Sequence, residues 1–327
     1  MEITQLQKSH LTAVVSLWND AVAAQGQGYQ SYTLSYERLA SIMEDENFLP
    51  SGAIVALESR RIIGFALSYL QRVDFRREGN LEGRPGRLAG LAVHPDHWRQ
   101  GVGRMLLEAV EAVLRNEGKS AVAFETYRMP VSLVHGIYVD SGPYGFLLSC
   151  GYRPLGHELR LRNDLSTFRL GERIEHRRIQ LAVEGFTFRW YEPADRDALL
   201  RFMARYFSPG WYTSIQRATD REPPSNILLA VQTTQASPRQ KIVAFMGPFH
   251  VGKPGQSGSF SSPGVHPDFR RRGIGTVLFH LGLDYLKSRG ASYTEYGTGV
   301  TNPAQIIYFG SGARLVSVYC CNFRKEL

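Results

Sequence analysis

The chain holds 327 residues, and at roughly 150 residues per domain that length suits two domains with substantial cores. Hydrophobic residues make up 43% and charged residues 21%, the balance of a soluble globular protein, and no apolar run approaches the ~18 residues of a membrane-spanning helix. The formal net charge of +8 suits an anionic ligand, a nucleotide phosphate or nucleic acid, provided the charge concentrates at a site. The opening Met1-Glu2-Ile3-Thr4-Gln5 lacks a basic start followed by an apolar stretch, so no secretory signal is read. Cys150, Cys320 and Cys321 show no paired CxxC spacing, so neither a disulfide framework nor a metal site is expected. These features lead us to expect a cytoplasmic protein.

In chain order, Ile3–Leu6 reads as a short strand and Leu11–Val22 as a helix. Ala53–Leu57 and Arg61–Leu67 read as strands around a Glu58-Ser59-Arg60 turn. Leu91-Ala92-Val93 forms a further strand, followed by His94-Pro95-Asp96-His97-Trp98-Arg99-Gln100-Gly101-Val102-Gly103. A helix follows, with Leu106, Leu107, Val110, Val113 and Leu114 at helical spacing and Gly118 placed to close it. Ala121–Phe124 then reads as a strand. The same order starts again at Phe186–Arg189, with a helix over Ala194–Tyr206 and strands over Ile227–Val231 and Lys241–Met246. His266-Pro267-Asp268-Phe269-Arg270-Arg271-Arg272-Gly273-Ile274-Gly275 repeats the first motif at an offset of 172, and another helix runs to Gly290 before a strand at Ser292–Glu295. The strand entering the second motif, Ser259–Gly264, is weak, and Pro263 removes a donor. Two tandem domains of the mixed α/β class (α+β, each on a mixed sheet) follow: 1–163, a charged and polar connector at 164–185, and 186–327.

Strand, basic turn, Gly-x-Gly and helix together make a phosphate site. The first helical turn leaves N–H groups unpaired, the dipole adds about half a positive charge there, and glycine lets the backbone approach the anion. Arg99, Gln100 and Arg104 in the first copy and Arg270, Arg271, Arg272 and Thr276 in the second add donors and charge. A Walker A loop is excluded because neither copy supplies Gly-Lys-Ser/Thr. Leu106 and Leu278 stand where a dinucleotide fingerprint needs its third glycine. His94 and His266 are read as turn-stabilising residues.

With these residues the chain resembles the GCN5-related N-acetyltransferases in tandem form, along essentially its whole length. The family's coenzyme motif, Arg/Gln-x-x-Gly-x-Gly/Ala after a Val-x-Pro turn, is met fully by Arg270–Gly275, whereas the first copy has Trp98 at the leading position. The resemblance implies acetyl-CoA as co-substrate without a metal, held by Val265, Arg270, Arg271, Arg272, Gly273, Ile274, Gly275, Thr276 and Asn302 in the second copy. In the first copy it implies Leu91, Ala92, Val93, Arg99, Gln100, Gly101, Val102, Gly103 and Arg104. It also implies an oxyanion donor from the strand before each loop. A downstream family motif, Asn302-Pro303-Ala304 with Tyr308 and Gly312, puts Tyr308 in the role of proton donor to the CoA thiolate; the first half has Leu147 at that spacing, with Tyr144 out of register.

Attack of an amine on a thioester also needs a base, and Glu295 and Glu125 occupy matching strands. We therefore expect an N-acetyltransferase moving an acetyl group to a primary amine by direct transfer in a ternary complex, with the C-terminal domain catalytic and Tyr308 and Glu295 at its centre. Alternatives are an active N-terminal domain or a non-catalytic acetyl-CoA sensor. The acceptor is a small-molecule or peptide amine. Nucleic acid ranks last as a partner, no membrane is expected, and monomer and homodimer both suit the tandem layout. Tyr29, Tyr32, Tyr206, Trp211 and Tyr212 are aromatic candidates for a pocket wall.

Overall fold

The computed structural model describes residues 1–72, 83–125, 132–134, 136–221, 226–234, 237–253, 255–261 and 263–327. They form two compact units, Met1–Glu158 together with Ser317–Leu327, and Leu159–Val316.

The first unit opens with β1 (Glu2–Gln5) and α1 (Leu11–Ala24), whose Leu11, Val14, Leu17, Trp18, Ala21 and Val22 fall on one buried face. Ser35 caps α2 (Tyr36–Met43) by accepting from the Arg38 N–H at 3.1 Å. Strands β2 (Phe48–Glu58), β3 (Arg61–Tyr69) and β4 (Gly86–Val93) pair antiparallel in succession. Helix α3 (Val102–Asn116) follows the first glycine loop and leads to β5 (Ala121–Glu125), β6 (Ile137–Tyr138), α4 (Gly142–Ser149) and β7 (Arg153–Asp164). Gly118 closes α3 at φ 72°, with the Lys119 N–H on the Leu114 carbonyl at 3.0 Å.

The second unit contains α5 (Glu172–Val183), β8 (Phe186–Trp190), α6 (Arg196–Tyr206), α7 (Pro209–Thr219), β9 (Leu228–Thr234) and β10 (Ser237–Met246). Short strands β11 (Phe249–Val251), β12 (Ser257–Phe260) and β13 (Gly264–Val265) lead to α8 (Ile274–Ser288), β14 (Tyr293–Gly299) and α9 (Gln305–Gly310). One sheet runs β13-β10-β9-β8, and β12 pairs with β11 and, in parallel, with β14. The expected weak strand is thus two pieces, β12 and β13, on different neighbours. Gly290 closes α8 at φ 91° as Gly118 closes α3.

The final strand, β15 (Arg314–Glu326), returns to the first unit from Ser317 onward. There it lies antiparallel to β5, from Asn322↔Glu125 to Glu326↔Ala121, and puts Phe323 in the first core. Lys325 Nζ on this strand donates to both oxygens of Glu111 on α3, at 2.9 and 2.8 Å, and the Tyr152 hydroxyl donates to the same carboxylate at 3.1 Å. Glu111 is 2% exposed, so these partners are what make its burial tolerable. The sequence reading ends the domains at 163 and 327; the units divide after Glu158 and again after Val316, because a strand supplied from far along the chain leaves no local signature. The connector is α5, which buries Leu181 in the second core.

Candidate active site

The two glycine loops share one backbone. After β4, His94 caps a 3-10 turn over Pro95–His97, its Nδ1 accepting from the Asp96 N–H at 3.4 Å; His266 does the same for Asp268 at 3.2 Å. Arg99 and Arg271 both stand at φ 60°, a left-handed conformation uncommon outside glycine, and Gly101 and Gly273 follow at 86° and 75°. Neither α3 nor α8 has a side-chain hydrogen bond at its N-cap. A glycine N-cap has no side chain to satisfy the first-turn N–H groups, which leaves them for an anion wherever the loop is uncovered.

In the first unit this loop stands at the mouth of a cleft. β4 and β5 pair in parallel at Gly86↔Val122 and Arg87↔Ala123, and a cavity of about 610 Å3 lies beyond, among Leu88–Val93, Phe124, and Phe146 and Leu147 of α4. Trp18, Ala21 and Val22 of α1, with Tyr29 and Tyr32, form another wall; His97, Trp98, Arg99, Gly101, Gly103 and Arg104 line the loop side. Glycine at 90 lets Leu133 and Trp18 pack against the strand, since a Cβ would fall 2.9 Å from Leu133 Cδ1 and 3.0 Å from Trp18 Cη2. Trp18 is fixed by its indole N–H donating to the Tyr32 carbonyl at 2.7 Å, and the Tyr29 hydroxyl is hydrogen-bonded to Ser141 Oγ at 2.8 Å. Burial pushes the Tyr29 phenol up from its ordinary value.

The second unit keeps the register and gathers aromatic rings at the corresponding place. Gly258↔Thr294 joins β12 to β14 at positions 172 residues beyond Gly86↔Val122. Phe260 and Tyr296, which correspond by the same offset to the cavity-lining Leu88 and Phe124, bring their rings to 5.1 Å. Phe279 lies 5.6 Å from Phe260, and Tyr308 lies 4.9 Å from Phe279 and 5.0 Å from Tyr296. Above this cluster α5 covers the loop. Arg177 donates from Nε and Nη2 to the Arg272 carbonyl at 3.1 and 2.6 Å, and its Nε is 2.9 Å from where a Gly273 Cβ would stand. Arg272 in turn donates to Glu184 at 2.6 Å and lies over the Phe186 ring. At Gly101 the corresponding space is open, with nothing within 4 Å.

The model of the acetyltransferase (GNAT) family matches residues 15–128 and again 190–310. The chain belongs to the GNAT family. Each match spans one glycine loop and the helix after it, so the chain carries two tandem GNAT domains. Among solved structures it is similar to a GCN5-related N-acetyltransferase from Sphaerobacter thermophilus, with 20% identity, 99% of this chain and 95% of that one covered, and a TM-score of 0.61. It is similar also to a tandem GNAT protein from the clavulanic acid biosynthesis pathway, with 14% identity, 99% and 98% coverage, and a TM-score of 0.59. A GCN5-related glucosamine N-acetyltransferase region of a fungal multi-domain GH3 β-N-acetylglucosaminidase aligns at 19% identity and TM-score 0.69, over 99% of this chain and 38% of that one. At these identities the likeness is one of fold. An uncharacterized N-acetyltransferase of Methanocaldococcus jannaschii is 44% identical over 45 residues, 14% of this chain and 20% of that protein. The chain thus covers well under half of the first relative in either comparison.

Within the first GNAT domain the cleft gathers Leu91, Ala92, Val93, Arg99, Gly101, Gly103 and Arg104 of the expected coenzyme residues. Gln100 instead donates to the Asp96 carbonyl at 2.9 Å, and Val102 is buried in the core. Leu147 lines the cleft at the spacing where the family pattern carries a tyrosine, whereas Tyr144 is hydrogen-bonded to His157 at 2.8 Å. The Glu125 side chain lies outside the described residues.

In the second GNAT domain, Tyr308 is 6% exposed, and burial alone pushes its pKa up to about 12. Glu295 accepts from Arg160 Nε at 2.9 Å and lies 3.6 Å from Arg162 Nη1, so its oxygens face guanidinium groups. Asn302 holds its own turn, accepting from the Ala304 N–H and donating to Thr298 Oγ1, each at 3.0 Å. Ile274 is buried, the Thr276 carbonyl is hydrogen-bonded to His280 at 2.8 Å, and Val265 Cγ2 lies 3.2 Å from a Cβ at Gly275. Of the aromatic candidates, Tyr29 and Tyr32 line the first cleft, while Tyr206 lies 4.2 Å from the His266 ring and Trp211 and Tyr212 pack on the α6–α7 core. Trp18, Phe124 and Phe146 are wall residues with no motif to announce them; only the helical face of α1 and the strand after α3 point to their neighbourhood. Among the described residues no helix is long and apolar enough to cross a membrane, and no group of three or more His, Cys, Asp or Glu could hold a metal.

Proposed function

We propose that the protein is an acetyl-CoA-dependent N-acetyltransferase whose working coenzyme cleft is that of the first unit, with a small-molecule or peptide amine as acceptor. The observation that carries this reading is the 610 Å3 cavity opening beneath an uncovered glycine loop. Arg99, Arg104 and the free N–H groups of the first turn of α3 hold an anionic pyrophosphate. Leu88, Phe124, Phe146 and Leu147 enclose a narrow apolar arm, and the end of β4 at Leu91–Val93 supplies the wall beside which an oxyanion would develop. Bound there, acetyl-CoA supplies an activated acyl group as its thioester.

Direct transfer is favoured because Cys150, Cys320 and Cys321 are all buried, and burial holds the Cys320 thiol above its ordinary pKa. Leu147 offers no proton, so in this reading, as the amine nitrogen bonds to the acyl carbon and the C–S bond breaks, water in the cleft relays the proton shed by the nitrogen to the departing thiolate. In this reading Tyr308 and Glu295 are structural residues of the second core and its ion pairs.

The test is thiol release from acetyl-CoA by the full chain with a panel of primary amines. Gly103→Glu places a carboxylate in the first turn of α3 and should lower the rate about 100-fold, near 2.7 kcal/mol. A Gly103→Glu protein that turns over like wild type, or no thiol release with any amine, would count against the proposal.

A further inference from the structure

Trp98 is the one departure of the first loop from the coenzyme motif, and the structure gives that departure a function. Its indole Nε1–H donates to the Val93 carbonyl at 2.7 Å, across the turn from the end of β4. In the second loop Arg270 donates from Nε to the Val265 carbonyl at 3.2 Å, and both partners are displaced by 172 residues. The flanking geometry is also shared. The Trp98 and Arg270 N–H groups reach the Pro95 and Pro267 carbonyls at 3.1 and 3.2 Å, and each precedes an arginine at φ 60°. A left-handed arginine persists only if the residues around it are held in place, and this hydrogen bond ties the loop to the strand immediately before that arginine.

We infer that Trp98 is the positioning residue of the first coenzyme loop, replacing an arginine's hydrogen bond to the strand end with an indole's. The exchange changes the surface as well. Arg270 is exposed, whereas Trp98 is half-buried, packs on the first core and lines the cleft. The first loop therefore gains an apolar wall at the cost of one cation. The remaining positive charge at the mouth sits on Arg99 and Arg104, beside the open helix turn.

This inference rests on the coenzyme reading for its consequence but not for its geometry, so two measurements on the full chain separate them. Trp98→Phe keeps a ring against the core and removes the N–H; Trp98→Arg restores a donor of the second loop's kind. Native-state hydrogen exchange, with no ligand present, should show the two hydrogen-bonded amides that flank the loop, that of residue 98 on the Pro95 carbonyl and that of Met105 on the Gly101 carbonyl, exchanging roughly 5- to 10-fold faster in Trp98→Phe, the loss of about one net hydrogen bond. Trp98→Arg should stay within about 3-fold of wild type by the same measure. Arg270→Met, at an exposed side chain that leaves the core intact, should speed the amides of residue 270, on the Pro267 carbonyl, and of Val277, on the Gly273 carbonyl, in the same way.

Calorimetric titration with acetyl-CoA should then give a Kd weakened about 10-fold in Trp98→Phe and largely recovered in Trp98→Arg. Unchanged exchange in Trp98→Phe, or Trp98→Arg exchanging as fast as Trp98→Phe, overturns the positioning role. Normal exchange differences with no acetyl-CoA binding by the wild-type chain would leave that role standing and sink the coenzyme reading instead.

Discussion

The two glycine loops superimpose in logic and differ in surroundings. Both present a left-handed arginine, a left-handed glycine and an uncapped helix, yet Gly101 has open space above it and Gly273 has Arg177. Below the first loop Leu88 and Phe124 line a cavity; below the second the equivalent Phe260 and Tyr296 meet ring to ring, joined by Phe279 and Tyr308. A loop that matches the motif in full can therefore be the less accessible one, and the loop that departs from it at Trp98 stands over the cleft. On our proposal, what distinguishes a coenzyme site from a retained turn is the space around the loop rather than the loop itself.

The largest effect that sharpens this contrast concerns α3 and α8. Glu111, buried on α3, corresponds to the fully buried Leu283 on α8, so the same position is solved by a charge network in one unit and by packing in the other. Lys325→Met should destabilise the first unit by about 2–3 kcal/mol, below the full penalty for an orphaned buried charge because Tyr152 and Arg115 remain near Glu111. Adding Glu111→Leu should recover most of that loss, and urea unfolding of the single and double variants measures both. A Lys325→Met chain as stable as wild type would mean that the Lys325 ammonium is not what makes the burial of Glu111 tolerable.

A smaller effect separates the units by pH. His280 on α8 is 6% exposed, and burial depresses its pKa, as it does for His266 beside Lys241; Glu108 is the exposed counterpart of His280 on α3. The unfolded chain takes up a proton near pH 6.5, before the folded one does. The stability contributed by neutral His280 and His266 is thus complete above that pH and lost as pH falls below it. Thermal unfolding from pH 7.5 to 5.5 should show the second unit losing stability, with His280→Gln giving a flatter profile.

Smallest of all should be Tyr308→Phe. With turnover carried by the first unit, this variant should retain thiol release within about 2-fold and stability within about 0.5 kcal/mol. Loss of turnover with folding intact would return catalysis to the second unit.

Much of this architecture is legible in the sequence because its signals are local. The apolar face of α3, the closing glycines at 118 and 290, the His-Pro-Asp turns and the repeat at an offset of 172 each specify their own few residues. The site was legible only as far as the loops. Three features distinguish the units, and each is made by residues distant in sequence. Arg177 reaches the Arg272 carbonyl across 95 positions, Phe260 meets Tyr296 across a parallel pair, and Lys325 reaches Glu111 across 214 positions. The motif spacing singled out Tyr308, which stands on the short helix α9, but spacing cannot say which way an aromatic ring is packed.

The central claim is that one loop of the two holds coenzyme, and calorimetric titration of the full chain with acetyl-CoA tests it most directly. We predict a stoichiometry of one, preserved in Gly275→Glu and abolished in Gly103→Glu. Two sites per chain, or a single site lost in Gly275→Glu and kept in Gly103→Glu, would contradict it.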